Sequence, residues 1–227
     1  MTFIRRWPWP NGLIEAPRAW DEGLRVHLEQ DADHVWDWNA DTLSLEEVRD
    51  DHLRAVNGGE EDRYIERLIR TSYRIAEDTT RRAHLPQTFR LVLSGFPWGW
   101  IYLPKPPLLE VLSFTYIDGD GDEQEFVVSP ADFEIVAPTG PHAKQGYIRP
   151  LQDASWPTAR TQPNAVAVTY RAGYPTVDGV VQVPEDIDHA RLLIIGELYK
   201  QRSESVHTSQ SPALIRARDL LLQYRAY

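Results

Sequence analysis

The spacing of apolar residues changes twice along this 227-residue chain, and that change limits the fold more than any other feature. Over residues 44–82, and again from 184 onward, apolar positions recur every three to four residues, the period of a helix. Over residues 87–183 they alternate or fall in short groups, the period of strands. Residues 166–202 show the second change most sharply. They read Val-Ala-Val-Thr-Tyr-Arg-Ala-Gly-Tyr, a loop, then Val-Pro-Glu-Asp-Ile at the start of an apolar helix that closes with Tyr-Lys-Gln-Arg. The expected fold class is α+β: a helical bundle formed by N- and C-terminal helices, with an inserted small antiparallel β-barrel or sandwich. The expected domains are a tryptophan-rich arm over 1–42, the bundle over 43–86 and 184–227, and the β domain over 87–183.

The first helix is expected to open at Ser44. Ser44-Leu45-Glu46-Glu47 has the form of a capping box, in which the serine takes one orphan amide and the glutamate another. Leu45, Val48, His52, Leu53 and Val56 share a side, and Gly58-Gly59 should stop the helix. A second helix is expected over about 62–82. Ile65, Leu68, Ile69, Ser72, Ile75, Ala76 and Thr79 form its apolar face. Arg63, Arg67, Arg70 and Arg74 form a stripe about opposite that face, at ~100° per residue. The stripe reads either as a solvated face or as a subunit interface with an acidic surface of a neighbour.

Seven short strands follow, over 87–93, 101–103, 111–117, 125–128, 133–136, 147–149 and 166–170. Asp118-Gly119-Asp120-Gly121 is a hairpin turn between two of them. Pro104, Pro106 and Pro107 suggest a stiff extended connector. Pro184 suits the first position of a helix, with Glu185 and Asp186 at its positive end. Leu192, Leu193, Ile194 and Ile195 in sequence imply burial on more than one side. Ser211-Pro212 starts the last helix, with Leu214, Ala217, Leu221 and Tyr224 in line.

The N-terminal arm holds Trp7, Trp9, Trp20, Trp36 and Trp38, five of the eight tryptophans. Pro8, Pro10 and Pro17 break regular structure there, with room for a short helix over 19–28. The rings either cover a core edge or contact a partner. The arm and first helix also carry the acidity. Residues 1–62 have 15 acids and 6 bases, whereas 63–227 have 19 acids and 18 bases, out of a net −10. Phosphate neutralisation requires clustered Lys and Arg, so this balance argues against nucleic-acid binding. No cysteine is present, which excludes disulfides, thiolate metal sites and cysteine nucleophiles. No apolar run approaches the roughly 20 residues of a membrane helix, and the start lacks a signal-peptide pattern.

Catalytic and metal motifs fail on inspection. Asp118-x-Asp120-x-Asp122 begins like a calcium loop, but Glu123 stands where glycine is needed and Ser129 where glutamate is. His27, Asp31, Asp33 and His34 match no metal-ligand spacing, and His52, His84, His142, His189 and His207 are scattered. There is no nucleophile elbow and no phosphate-cradling glycine loop. No catalytic, cofactor-binding or metal residue is assigned, and no cofactor is expected. A carbohydrate- or protein-binding β module with helical decoration is the alternative class, and a hydrolase using scattered acids a more distant one.

The ordered blocks along the chain carry a resemblance. They begin with Ser44-Leu45-Glu46-Glu47-Val48, Leu53-Arg54 and Glu77-Asp78-Thr79-Thr80-Arg81-Arg82. They continue through Gln87-Thr88-Phe89-Arg90-Leu91, Leu103-Pro104-Lys105-Pro106-Pro107-Leu108 and Tyr116-Ile117-Asp118-Gly119-Asp120-Gly121. Trp156-Pro157, Tyr170-Arg171-Ala172-Gly173-Tyr174, Val183-Pro184, Tyr199-Lys200-Gln201-Arg202 and Leu221-Leu222-Gln223-Tyr224-Arg225 complete them. In order and spacing this resembles the head–tail connector (adaptor) proteins of long-tailed bacteriophages and gene transfer agents. The resemblance implies a non-enzymatic homo-oligomeric ring, usually a dodecamer, in the virion neck, assembled in the bacterial host cytoplasm. Its implied partners are the portal protein and a head–tail stopper or tail-completion protein. The resemblance further implies that DNA passes through the lumen without sequence-specific binding and that no membrane is involved. It also implies portal docking through the C-terminal helix, with Leu221, Leu222, Tyr224 and Tyr227. Family members usually begin close to the first helix, so the tryptophan-rich arm is extra.

Overall fold

A computed structural model describes residues 26–30, 42–55, 61–201 and 211–226. The expected arm over 1–42 therefore lies outside the described residues, apart from 26–30 and Thr42. The chain divides into two compact units. One holds residues 26–30 and Pro86–Gly173. The other holds the described residues from Thr42 to Leu85 and those from Tyr174 to Ala226.

The first unit is built of antiparallel strands. β1 (Val26–Gln30), β2 (Gln87–Leu93), β4 (Leu108–Ile117), β5 (Glu123–Glu125) and β8 (Val166–Ala172) form a five-stranded sheet in the order β1-β2-β8-β4-β5. β3 (Ile101–Leu103), β6 (Phe133–Val136) and β7 (Gly146–Pro150) form a second sheet in the order β3-β7-β6. Neither closes into a barrel, so that expected form is corrected. The larger sheet ends in β1 on one side and in a three-residue, fully exposed β5 on the other. β4 also shifts register twice against β8, at Leu108/Glu110 and Val111/Ser113. Bulges of this kind bend a strand locally.

Side chains from both sheets meet in an aromatic core. Trp156 stacks on Phe96 at 5.2 Å and 11°, and its ring centroid lies 4.9 Å from that of Phe133. Phe114 and Phe126 join them at 4.7 Å from each other. Trp156 Nε1 donates to the Gly99 carbonyl at 2.8 Å, so the polar edge of the indole is satisfied. Gly146 lets β7 lie close to Leu108, because a Cβ there would stand 2.5 Å from Leu108 Cδ2.

The Asp118 turn forms as expected. Its Oδ1 accepts the amides of Asp120, Gly121 and Asp122, each at 3.0 Å, and Gln124 Nε2 donates to Oδ2 at 2.8 Å. The 104–107 stretch bends rather than extends, with Lys105 at φ 59° and a cis Pro106–Pro107 bond. The expected short helix over 19–28 is corrected where it is described. Residues 26–30 are strand β1, because β2 offers an edge to pair with, Val26 opposite Leu93 through Gln30 opposite Phe89.

The second unit is mainly helical. It contains a π-helical segment (Glu47–Leu53), α1 (Asp62–Thr80), α2 (Glu185–Gln201) and α3 (Pro212–Leu222). A small hairpin, β9 (Thr176–Val177) with β10 (Val180–Val181), was not expected; two-residue strands leave no readable alternation. Ser44 Oγ accepts the Glu47 amide at 3.2 Å, the serine half of the expected capping box. The segment then widens to a π-helix and stops at Arg54 in the left-handed region, ahead of Gly58-Gly59. Arg49 ties it to α1, meeting Asp50 at 2.6 Å and Asp62 at 3.3 Å. Val48, Ile65, Leu68, Ile69 and Ile195 share one core cluster. Tyr73, Ile187, Ile194, Ala217 and Leu221 share another. Ser211 caps α3 by accepting the Leu214 amide at 3.3 Å.

The buried face of α1 turns along its length. Ile65, Leu68, Ile69, Ser72 and Ala76 are buried as expected, but Ile75 is 38% exposed. Tyr73, Glu77 and Thr80 are buried instead. They face a polar pocket, and hydrophobic periodicity cannot register a glutamate that is buried because it is bonded.

Candidate assembly surfaces

In the helical unit, polar chemistry sits inside. The Tyr73 hydroxyl donates to Glu77 Oε1 at 2.6 Å, and the same oxygen accepts the His84 amide at 2.8 Å. The Leu85 amide donates back to the Tyr73 oxygen at 3.1 Å. Burial first, then the Glu77 carboxylate, pushes the Tyr73 hydroxyl well above the ordinary tyrosine range. Arg191, 1% exposed, reaches Asp188 Oδ1 at 3.1 Å and Thr42 Oγ1 at 3.2 Å, with its guanidinium 5.3 Å from the Tyr73 ring centre. Burial pushes Tyr174 up to about 12 and lowers the Arg82 guanidinium. The network is buried among the elements of the helical unit, linking α1, α2 and the segment after α3.

The arginine stripe lies outside. Arg63, Arg67, Arg70 and Arg74 are all exposed on α1, and Arg70 meets Glu66 one turn back at 3.7 Å. The structure thus presents the four together on one helix face.

The C-terminal docking residues separate. Leu221 is 1% exposed and lies in the core with Tyr224, which is 7% exposed. The Tyr224 hydroxyl donates to Asp186 Oδ2 at 2.9 Å, and Arg82 Nε donates to the Tyr224 carbonyl. The Ala226 amide donates to the Thr80 carbonyl at 2.8 Å. The end of the chain is thus fastened to α1. Leu222 is half-buried, and Tyr227 lies outside the described residues.

The β unit offers a surface that the strand pattern did not single out. On the outer face of the three-stranded sheet, Trp100 stacks on Tyr147 at 4.6 Å and 13°. Tyr102 abuts both rings, and Arg149 lies 5.5 Å from the Trp100 centre while pairing with Glu134. Trp98, two residues ahead, is 92% exposed. Glu134 and Arg149 also line an open cleft of about 590 Å³, together with Val128, Pro130, Phe133, Ile135 and Leu151. The signal was present as Trp98-Gly99-Trp100, a pair of large rings in a glycine-containing loop.

Among the described residues, no three His, Asp or Glu side chains are grouped to hold a metal ion. Asp118 explains why the calcium-like triplet is only a turn. Its carboxylate is held below the usual range by the Gln124 amide and then by backbone N–H groups, which occupy the oxygens a cation would need.

No protein-family model and no curated protein matches the chain. Chains in solved structures do. One, from the neck of an empty gene transfer agent (GTA) particle computed with C6 symmetry, superposes with a TM-score of 0.68 at 22% identity, covering 88% of this chain and 96% of that one. Another, from the virion of a native GTA particle, gives 0.66 at 23% identity, covering 88% and 95%. A third, from the neck of a native GTA particle computed with C12 symmetry, gives 0.63 at 22% identity, covering 88% and 96%. This chain shares the fold of those particle components over 88% of its length.

Proposed function

We propose that this chain is a structural component of the neck of a tailed, phage-like particle: a head–tail adaptor that assembles as a homo-oligomeric ring, a dodecamer, beneath the portal. The observation that carries the reading is a fold shared over 88% of this chain with chains of GTA necks. The ordered sequence blocks of head–tail connectors support it. In this reading the two-segment helical unit is the frame and the β unit, Pro86–Gly173, is the module inserted in it along the chain. The ring links portal to a stopper or tail-completion protein and encloses the DNA channel. It forms in the host cytoplasm and works without catalysis or cofactor.

A ring closes through heterologous contacts, in which one patch meets a different patch on the neighbour. The exposed arginines of α1 supply one such patch. The acidity of residues 1–62 supplies the opposite charge. In portal docking, Leu222 and Tyr227 are the contact residues of the C-terminal segment, while Leu221 and Tyr224 hold that segment to the core. Sedimentation and electron microscopy of the chain with its portal test the proposal. A closed ring at the portal is expected. A chain that stays monomeric at every concentration, with and without portal, overturns it.

A further inference from the structure

The small hairpin of the helical unit is built to hold two apolar side chains outward. Asp178 at φ 51° and Gly179 at φ 81° both lie at positive φ. A type I′ turn requires this of its two central residues, and Asp-Gly is a preferred pair there. Across the hairpin Thr176 faces Val181 and Val177 faces Val180. Side chains alternate along a strand, and directly opposed residues share a face. Val181 is buried in the helical core, whereas Val177 and Val180 are 52% and 59% exposed. The Gln182 amide donates to the Pro175 carbonyl at 2.9 Å, and Gln182 Nε2 donates to the Val180 carbonyl at 3.0 Å, so the root is braced. The result is a stiff knob, with two valines on its outer face and the exposed Asp178 at its tip. Single exposed valines are ordinary. Two held side by side on a pre-ordered turn form a ready contact, because little further ordering is needed on binding.

The β unit holds a hollow of matching chemistry. Its open cleft of about 590 Å³ has Val128, Pro130, Ile135 and Leu151 among its walls. β6, which contributes Ile135, is an edge of the three-stranded sheet, and Ile135 is exposed. Arg149, also in the cleft wall, meets Glu134 through Nε at 2.6 Å and Nη2 at 2.5 Å, both to the same oxygen Oε2. A guanidinium has five N–H donors in a fixed fork, so its Nη1 side can take a second carboxylate. We propose that the Val177–Val180 knob of one copy seats in this cleft of the next copy, with the valines against Val128 and Ile135 and the Asp178 carboxylate against Arg149. The proposal rests on the ring reading above. Two observations favour a second copy as the occupant. A ring closes only if every subunit carries two different patches that fit each other, and this chain carries both the knob and the cleft. Charge also fits: Asp178 is the one charged residue of the 176–181 hairpin, and Arg149 is the one cation lining the cleft. A nucleic-acid occupant is disfavoured, because that cation already stands beside a carboxylate.

The absence of cysteine makes the test clean. Val180→Cys and Ile135→Cys are placed on separate full-length chains, both at exposed positions outside the cores. Each chain alone and the mixture, with and without portal, are sedimented, then treated with a mild oxidant and separated without reductant. A heterodimer in the mixture is expected in several-fold excess over either homodimer. One chain carrying both substitutions should give a ladder of larger cross-linked oligomers. Homodimers in equal or greater yield overturn the proposal, and so does the absence of a cross-link in every sample. Asp178→Asn keeps a residue suited to the turn but removes the charge. Added to the Val180→Cys chain, it should lower the heterodimer yield several-fold at low salt. An unchanged yield overturns the charge pairing that selects this occupant. Sedimentation before oxidation keeps the two readings apart. Rings without the heterodimer strike this docking alone, whereas monomers throughout, with no cross-link, strike the adaptor reading as well.

Discussion

The two units of this chain are held together by different means. The β unit has an aromatic core of Phe96, Phe114, Phe126, Phe133 and Trp156, where burial of ring area does most of the stabilising. The helical unit puts charge in its centre, with Arg191, Glu77, Arg82 and His84 all buried. Ring cores tolerate changes of shape in graded fashion. Buried polar networks do not, because removing one partner strands the others in a medium of low polarity. The helical unit should therefore be the more brittle of the two.

Arg191→Ala gives the hardest test of that contrast. It removes the cation from Asp188, Thr42 and the Tyr73 ring at once, and breaking a buried pair costs about 3–5 kcal/mol. Denaturant unfolding should show a loss of that size, and Arg191→Met, which fills the volume, should lose clearly less. Equal losses for the two variants would mean that packing, not charge pairing, holds this core.

Alkali separates the units next. The unfolded tyrosine titrates near 10, whereas folded Tyr174 is pushed up to about 12 and Tyr73 well above its ordinary range. Each buried hydroxyl keeps its proton in the fold while the unfolded chain loses it. Stability is thus fully present below pH 10 and falls above it, by about 1.4 kcal/mol per pH unit for each such group. Tyr73, Tyr174 and Tyr224 belong to the helical unit, against Tyr170 in the β unit. Helical circular dichroism should be lost before the tryptophan signal of the β unit. Coincident loss breaks the contrast.

Trp156→Phe samples the other side. It keeps a ring among Phe96 and Phe133 but gives up the bond to Gly99. A loss of about 1 kcal/mol is expected from that bond, with additional loss from reduced ring area. A loss as large as that of Arg191→Ala would show that the β core is equally brittle.

These differences also explain what could be read in the sequence. The strands at 87–93, 101–103 and 133–136 have the expected bounds, because an apolar core enforces alternation. The helical core hides its logic. Glu77 and Arg191 look like surface residues, and only the fold shows that they are bonded to each other's neighbours. The π-helical turn at 47–53 was hidden too, since Ser44 starts it as any helix starts. Among the candidate site residues, the arginine stripe was legible because four cations at helical spacing share one face. Leu221 and Tyr224 were legible as a line with Leu214 and Ala217, and they share one core cluster with Ala217; the bond from Tyr224 to Asp186 was not, because no spacing signals it.

The smallest effect on the fold should come from the arginines on the outside. Arg63→Glu with Arg67→Glu reverses two charges on an exposed helix face, where substitutions usually stay within about 0.5 kcal/mol. Unfolding should barely change, in contrast to Arg191 on the inner face of α2. Assembly is where the pair should act. A single exposed ion pair contributes about 0–1 kcal/mol, but every interface of a ring repeats the contact. Screening weakens such contacts as salt rises, since the Debye length falls from about 30 Å at 0.01 M to about 3 Å at 1 M. The double variant should therefore form fewer rings than the native chain at low salt, and the gap should narrow at high salt. Sedimentation across a salt series measures both trends. Unchanged ring formation at low salt would remove the stripe from the interface and leave it a solvated face. A gap that persists at high salt would show a contact made by more than charge.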